Sequence, residues 1–366
     1  MKLFVLSSFA LCAHAFAPLT RTIQRPTQQP LNNVPPPAEE DVVAFKEYAS
    51  KQAPPKSFFE LQKDCIQSTR LAVRDGLKLL EVEYPPLPAQ VLEMDDVSAY
   101  DVAEANLKLA MEYAKGILDS QRDDDANSIR NIAILFPDEA EADFAIDKAG
   151  GKNPLPGVTI RSLLNPQEID DRYFKPEQLF LGLFGGRKGV VQPQPEVDLA
   201  ICLTFSAQEL PDIEELSNVD PDKTIVFFNL KLDVLRGDLG APAFPSKDFQ
   251  DRFLSRVKPI YYLRTRQYTR STSRPPFVVN YQGCLFRAYP GQFQTLLDTG
   301  TGQYRRLHGS DIRPALGEFK QQLTDALVEQ GVLENEGAAI GFLRTGYKTT
   351  TWWEEDRENA SMEWRT

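Results

Sequence analysis

The stretch that decides the fold is residues 197–206, which read Val-Asp-Leu-Ala-Ile-Cys-Leu-Thr-Phe-Ser. This run is short, apolar without alternation, and bounded by polar residues. It predicts a strand buried on both faces, as in the middle of a parallel sheet covered by helices. Similar runs at 131–136 and 224–230 predict two further strands. We expect the three to lie side by side.

Helices and further strands complete the predicted architecture. A capping box at Ser57 opens a helix that extends through Leu80 to the prolines at 85–88, and a second helix starts at Ser98. After Pro259 the pattern becomes a meander of short strands, and a last helix follows at Pro314. The expected fold is a three-layer α/β domain. Its central sheet is mostly parallel, has an antiparallel C-terminal extension, and is preceded by two helices.

The N-terminal composition predicts import into a plastid. Residues 1–15 resemble a signal peptide, with Lys2 before an apolar core and Ala-His-Ala at 13–15. Residues 16–38 contain bases and no acid, which is typical of a transit peptide. In series they resemble the bipartite presequence of algae with secondary red-type plastids, so we expect the stroma or the stromal face of the thylakoid. Simple secretion is the alternative.

Three further segments follow this leader. Residues 39–55 form a proline-rich linker, 56–333 the α/β domain, and 334–366 a tail that holds all three tryptophans. Removing residues 1–38 leaves 38 bases against 52 acids, a formal net charge of −14. This charge repels nucleic acid on average, so no nucleic-acid partner is expected. No transmembrane segment is expected either, although peripheral membrane association stays open.

The cysteines and histidines limit the disulfides and metal sites that this chain can form. Cys65, Cys202 and Cys284 are widely spaced in apolar surroundings, which predicts buried free thiols in a reducing compartment. The chain has only two histidines, which excludes a His-rich metal site, so no metal or cofactor is expected. The basic loop at 182–189 lacks the glycine–lysine–hydroxyl order of a phosphate-binding loop.

Three polar residues follow predicted strands and are therefore candidates for a site. Asp138 and Glu141 stand where a strand leads into a helix, so they can cap the helix or face a ligand. Asn229 follows the strand at 224–230 and can pin a loop or hold a ligand.

The distribution of charge is the most unusual feature of the sequence. Residues 81–147 hold 17 acids and 4 bases, whereas residues 252–297 hold eight bases, seven of them arginine, and no acid. Two interpretations stay open. The basic segment forms a docking surface for an anionic ligand or an acidic partner, or the two segments neutralise each other within the fold. The candidate contacts are Arg264, Arg266, Arg287 and Tyr289, together with Trp352 and Trp353, which either anchor in a partner or fold back.

Several short motifs carry a resemblance to a known family. They are Glu83-Tyr84-Pro85-Pro86-Leu87, Phe136-Pro137-Asp138, the strand end at Asn229, Leu285-Phe286-Arg287-Ala288-Tyr289-Pro290-Gly291, and Arg313-Pro314. In this order they resemble the plastid family numbered 1995 among domains of unknown function, over roughly residues 55–333. One plant member of that family is an auxiliary factor for assembling photosystem II.

The resemblance implies a function but no reaction. It favours a non-enzymatic plastid protein that assists assembly or maintenance of a thylakoid complex, with photosystem II subunits or assembly factors as partners. The alternative is an enzyme or binding protein for a nucleotide or sugar phosphate in the stroma, using Asp138, Asn229 and Arg287.

Overall fold

The computed structural model describes residues 54–88, 91, 94–120, 128–165, 189–233, 246–272, 275–301, 303–333 and 360–366. All of them belong to one compact unit, residues 36–366. The predicted leader at 1–38, most of the linker, the basic loop at 182–188, and both Trp352 and Trp353 lie outside the described residues.

The described residues contain six α-helices and eleven strands. The helices are α1 (Phe58–Arg74), α2 (Ala99–Asp119), α3 (Glu139–Ala149), α4 (Leu210–Val219), α5 (Lys247–Arg252) and α6 (Leu316–Glu329). The strands are β1 (Leu79–Glu83), β2 (Ile132–Phe136), β3 (Val158–Ser162), β4 (Leu164–Asn165), β5 (Val190–Val191), β6 (Leu199–Cys202), β7 (Thr224–Phe228), β8 (Lys258–Ser271), β9 (Val278–Ala288), β10 (Phe293–Asp298) and β11 (Tyr304–Ser310). Short 3-10 helices at Leu254–Arg256 and Glu363–Arg365 complete the set.

Nine of these strands form one mixed sheet in the order β11-β10-β9-β8-β1-β7-β6-β2-β3. The pairs from β3 to β8 are all parallel, and the pairs from β8 to β11 are antiparallel. The predicted strands β2, β6 and β7 are neighbours, with Ile134 beside Ile201 and Ile201 beside Val226. The predicted fold class is therefore confirmed.

The first strand of the sheet is not the predicted one. The sequence predicted a helix through Leu80, but α1 ends at Arg74 and Gly76 turns the chain with φ +81°. Leu79–Glu83 then forms β1, which is buried along its whole length between β7 and β8. One helix, not two, precedes the sheet. The prediction was wrong because Leu77 and Leu80 have helical spacing, and a short apolar segment buried on both faces of a sheet cannot be told from a helix by periodicity.

Helices cover both faces of the sheet. Helices α1, α2 and α3 pack on one face, against side chains such as Val82, Ile134 and Ile201. Helices α4 and α5 pack on the other face, against side chains such as Leu135 and Phe227. Helix α6 covers the antiparallel strands with its own apolar cluster. This burial is the main favourable contribution to folding.

Strand β8 joins the two halves of the sheet and is much longer than predicted. It runs for 14 residues and pairs with β1 only as far as Tyr262. Beyond that point it pairs with β9 up to Ser271 opposite Val278. We call residues 264–271 and 278–285 the hairpin arm, because they extend past the carboxyl end of β1.

Within the described residues, no helix combines the length and apolar character that crossing a membrane requires.

Phe228 tests the packing between β7 and α2. Its ring is buried and lies 5.6 Å from the ring of Tyr84 and 5.4 Å from that of Tyr113. We expect Phe228→Ala to lower the free energy of unfolding by about 3–5 kcal/mol in a denaturant titration. Val219→Ala, at a side chain 39% exposed, is the control and should change it by less than about 1 kcal/mol. Equal losses would contradict this account.

Candidate functional site

The predicted residues Asp138 and Glu141 lie at the topological switch point of the parallel sheet. From β2 the chain enters α3 on one face, and from the neighbouring β6 it enters α4 on the other. Ligands of open α/β sheets bind in the crevice that such a divergence opens. Here the Asp138 carboxylate accepts the backbone N–H of Glu141 at 2.9 Å, so it caps α3.

Thr204 closes this crevice from the side of β6. It follows the strand with φ 63°, which is unusual for a β-branched residue, and its hydroxyl contacts the Glu141 carboxylate. Burial raises the pKa of Glu141. The crevice therefore presents acids that are already engaged with their neighbours.

Asn229 holds two elements together. Its side-chain oxygen accepts the backbone N–H of Tyr84 at 2.8 Å, and its amide donates to the Asn106 side chain at 2.8 Å. Its own φ of 53° is one that asparagine tolerates better than most residues. The structure thus shows Asn229 pinning the end of β1 to α2.

A cluster of buried and partly buried charges lies beside the carboxyl ends of β1 and β7. The side chain of Asp233 is 8% exposed, and its carboxylate contacts three guanidinium groups. Arg266 lies 3.1 Å and Arg264 3.5 Å from its carboxylate, and Arg313 donates to it directly. The hydroxyl of Tyr262 also donates to Asp233. We call these five residues the Asp233 cluster.

Arg313 connects this cluster to the C-terminal segment, residues 360–366. Its guanidinium lies 4.5 Å from the Tyr262 ring and 5.7 Å from the Trp364 ring. Its backbone N–H donates to the Arg365 carbonyl at 2.7 Å. Burial lowers the pKa of Arg313, but Asp233, Tyr262 and Glu81 together outweigh it and the pKa is raised. Trp364 is buried, so this part of the tail folds back onto the domain.

Two glutamates of β1 face the same side of the sheet as the cluster. Glu81 is 1% exposed and Glu83 is 8% exposed. Burial, followed by the neighbouring Glu81 carboxylate, raises the pKa of Glu83 to about 7, although Arg264 opposes the shift. The Glu83 carboxylate accepts the backbone N–H of Lys231 at 3.0 Å. A carboxyl group with a raised pKa therefore stands close to Arg264 of the cluster.

The predicted basic surface is largely turned into the fold. Arg264 and Arg266 are only 21% and 22% exposed, because their strand face is the one that α6 and Asp233 cover. Glu83 favours the charged form of Arg264, which is one electrostatic link between the acidic and basic segments. The direct carboxylate partner, Asp233, belongs to neither segment.

Arg287 and Tyr289 form a separate group at the end of β9. Arg287 is 4% exposed and its Nε donates to the Gly291 carbonyl at 3.1 Å. Tyr289 donates its hydroxyl to Asp75 at 2.8 Å.

The structure does not bring the alternative ligand site together. Asp138 follows β2, Asn229 follows β7 and Arg287 lies in β9. Five strand spacings separate β2 from β9, which is about 24 Å. A cleft of about 280 Å³ between α3 and β3 contains none of the three.

Sequence reasoning missed the centre of the cluster. Asp233, Glu83 and Trp364 were not candidates, and Arg313 stood out only as part of a family motif. Two glutamates in the apolar stretch Leu79–Glu83 were the available signal, since such acids need buried partners once the segment is a central strand.

The cysteines have the predicted environment. Cys65, Cys202 and Cys284 are free and buried. Burial raises the pKa of each thiol, and that of Cys284 reaches about 12. Thiols held this way are poor nucleophiles.

Comparison with known proteins identifies the family of this chain. The family described as Domain of unknown function (DUF1995) matches residues 55–321. The chain therefore belongs to this family, and the match includes all five residues of the Asp233 cluster. A search of curated proteins and a search of solved structures returned no match.

Removing the charge of Asp233 tests the cluster. Asp233→Asn leaves three guanidinium groups without their shared carboxylate, so we expect the free energy of unfolding to fall by about 3–5 kcal/mol. Asp248→Asn is the matched control, because Asp248 is 78% exposed and its pair with Arg252 is worth at most about 1 kcal/mol. A loss no larger than that of the control would refute the structural role of Asp233.

Glu83 makes stability depend on pH in a defined window. The unfolded chain releases this proton near its ordinary pKa of 4.5, whereas the folded chain keeps it until about 7. The contribution of Glu83 to stability therefore falls as pH rises from about 4.5 to 7, by about 3 kcal/mol in total. Glu83→Gln keeps an oxygen for Lys231 and should remove this slope from urea titrations. The exposed Glu329→Gln is the control and should retain it.

Proposed function

We propose that this protein is a non-enzymatic plastid factor that assists assembly or maintenance of a thylakoid complex, with photosystem II as the favoured complex. In this proposal it binds a protein partner through the hairpin arm. The plastid-type leader at 1–38 supports the location. The resemblance to a plastid family that has a plant photosystem II assembly factor among its members supports the process.

The observation that carries the proposal is the surface of the hairpin arm. One face is covered by α6, where Tyr268 packs against Phe319 with ring centroids 6.5 Å apart. The opposite face is exposed and uncharged. Its side chains are those of Thr265, Gln267, Thr269, Ser271 and Asn280. Such a face can exchange hydrogen bonds with a partner without the cost of desolvating charges.

The tip of the arm adds an apolar anchor. Phe277 is 62% exposed and Val278 is 54% exposed, and the two prolines before them, at 275 and 276, are exposed as well. Burying such side chains against a partner contributes roughly 25 cal/mol per Å² of apolar surface. An aromatic anchor beside a polar surface that exchanges hydrogen bonds is the usual composition of a binding hot spot.

The sheet edge favours binding over catalysis. Asp138 caps a helix, Asn229 pins a loop, and the arginines of the Asp233 cluster surround a carboxylate. The described thiols are buried with raised pKa values. These groups stabilise the domain, whereas one face and the tip of the arm are exposed.

The arm is tested by crosslinking in plastid extract. Full-length tagged protein should capture photosystem II subunits or assembly factors. A variant carrying Phe277→Ser and Val278→Ser should capture at least tenfold less of these subunits, because the apolar anchor is removed.

The matched control carries Phe59→Ser and Val332→Ser, which change the same residue types at sites 79% and 49% exposed. It should capture the same subunits as the unchanged protein. Equal capture by all three proteins would exclude the arm as the contact. If the unchanged protein captures no thylakoid subunit in repeated samples, the assembly role itself is wrong.

A further inference from the structure

Arg287 is a buried cation without an acidic partner. Among the described residues, no carboxylate lies within ion-pair distance of its guanidinium, and its Nη1 has no hydrogen-bond acceptor. The group is held rigidly. Nε donates to the Gly291 carbonyl, and the guanidinium lies 4.6 Å from the ring of Phe293 and 5.7 Å from that of Tyr289.

A second cation lies beside it. The amino group of Lys258 lies 5.9 Å from the same Tyr289 ring, and its hydrogen bond goes to the hydroxyl of Thr366 at 3.5 Å. Burial, followed by Arg287, lowers the pKa of Lys258. Burial likewise lowers the pKa of Arg287 to about 10. The acids that favour these charges, Asp311 and Glu363, act from beyond ion-pair distance.

This arrangement is costly for the folded protein. An uncompensated ion in a protein interior is strongly destabilising, and stacking on aromatic rings offsets only part of that cost. In the Asp233 cluster, by contrast, one carboxylate compensates the charges of three arginines. Here the described part of the chain supplies no such carboxylate, and the two cations together favour a negatively charged group between them.

We propose that Arg287 and Lys258 form a binding site for the oxyanion of a small molecule, a phosphate monoester or a carboxylate. A fixed guanidinium suits either group, because both accept two parallel hydrogen bonds. The half-buried side chains of Lys258 and Tyr289 provide the side from which the oxyanion enters. The site lies at the start of β8 and the end of β9, opposite the arm, so it does not depend on the proposed function.

The test uses the full chain and two probes at constant ionic strength, inorganic phosphate and succinate. Calorimetric titration of the unchanged protein should give saturable binding of at least one probe, and the same probe should raise the melting temperature. The probe that binds more tightly identifies the chemical class. Lys258→Gln should weaken that affinity about tenfold, which corresponds to about 1.4 kcal/mol.

Arg287→Met provides a second readout that separates binding from structure. If the role of Arg287 is to bind an anion, replacing it by an apolar side chain of similar length should abolish probe binding. The melting temperature measured without probe should stay unchanged or rise. Arg305→Met, on the exposed face of β11, is the control and should bind the probe as the unchanged protein does.

Two outcomes would overturn the proposal. One is the absence of saturable binding by the unchanged protein with either probe. The other is binding that both Lys258→Gln and Arg287→Met retain at full affinity.

Discussion

Two glutamates on the central strand constrain the architecture of this domain. Glu81 and Glu83 point from β1 into the layer beneath α4, α5 and α6, and both are almost fully buried. Burying carboxylates there is costly unless cations accompany them. Arg264 and Arg313 come from β8 and from the segment before α6, so the sheet, the loop after β7 and the C-terminal segment converge on one place.

The parallel and antiparallel halves of the sheet differ in how far their polar groups and strand faces are covered. In the parallel half, the polar groups at the carboxyl edge are tied to each other, through the caps, the Asn229 pin and the Asp233 cluster. In the antiparallel half, β8 and β9 continue past the sheet with only one face covered. The arm therefore presents one exposed strand face, whereas the polar groups at the edge of the parallel half are engaged with one another.

An element could be predicted from the sequence where a local pattern of residues was sufficient to define it. Strands β2, β6 and β7 were found because apolar runs of this kind are sufficient to place a strand inside a parallel sheet. Strand β1 was missed, since Leu77 and Leu80 fit a helical face and the decisive turn depends on the left-handed backbone at Gly76. Asp138 and Asn229 were found at strand ends, but the short distances that engage them join residues 3, 123 and 145 positions apart.

The sequence by itself determined the three-layer α/β class, the buried thiols and the candidate residues at the sheet edge. Each of these follows from local pattern or composition, which a chain carries before it folds. Tertiary structure alone decided that Asp233 contacts three arginines and that Trp364 packs near Arg313. It also decided that no carboxylate of the described residues lies within ion-pair distance of Arg287. Whether a charge is paired depends on which strands become neighbours. That order arises when distant segments bury their apolar faces together.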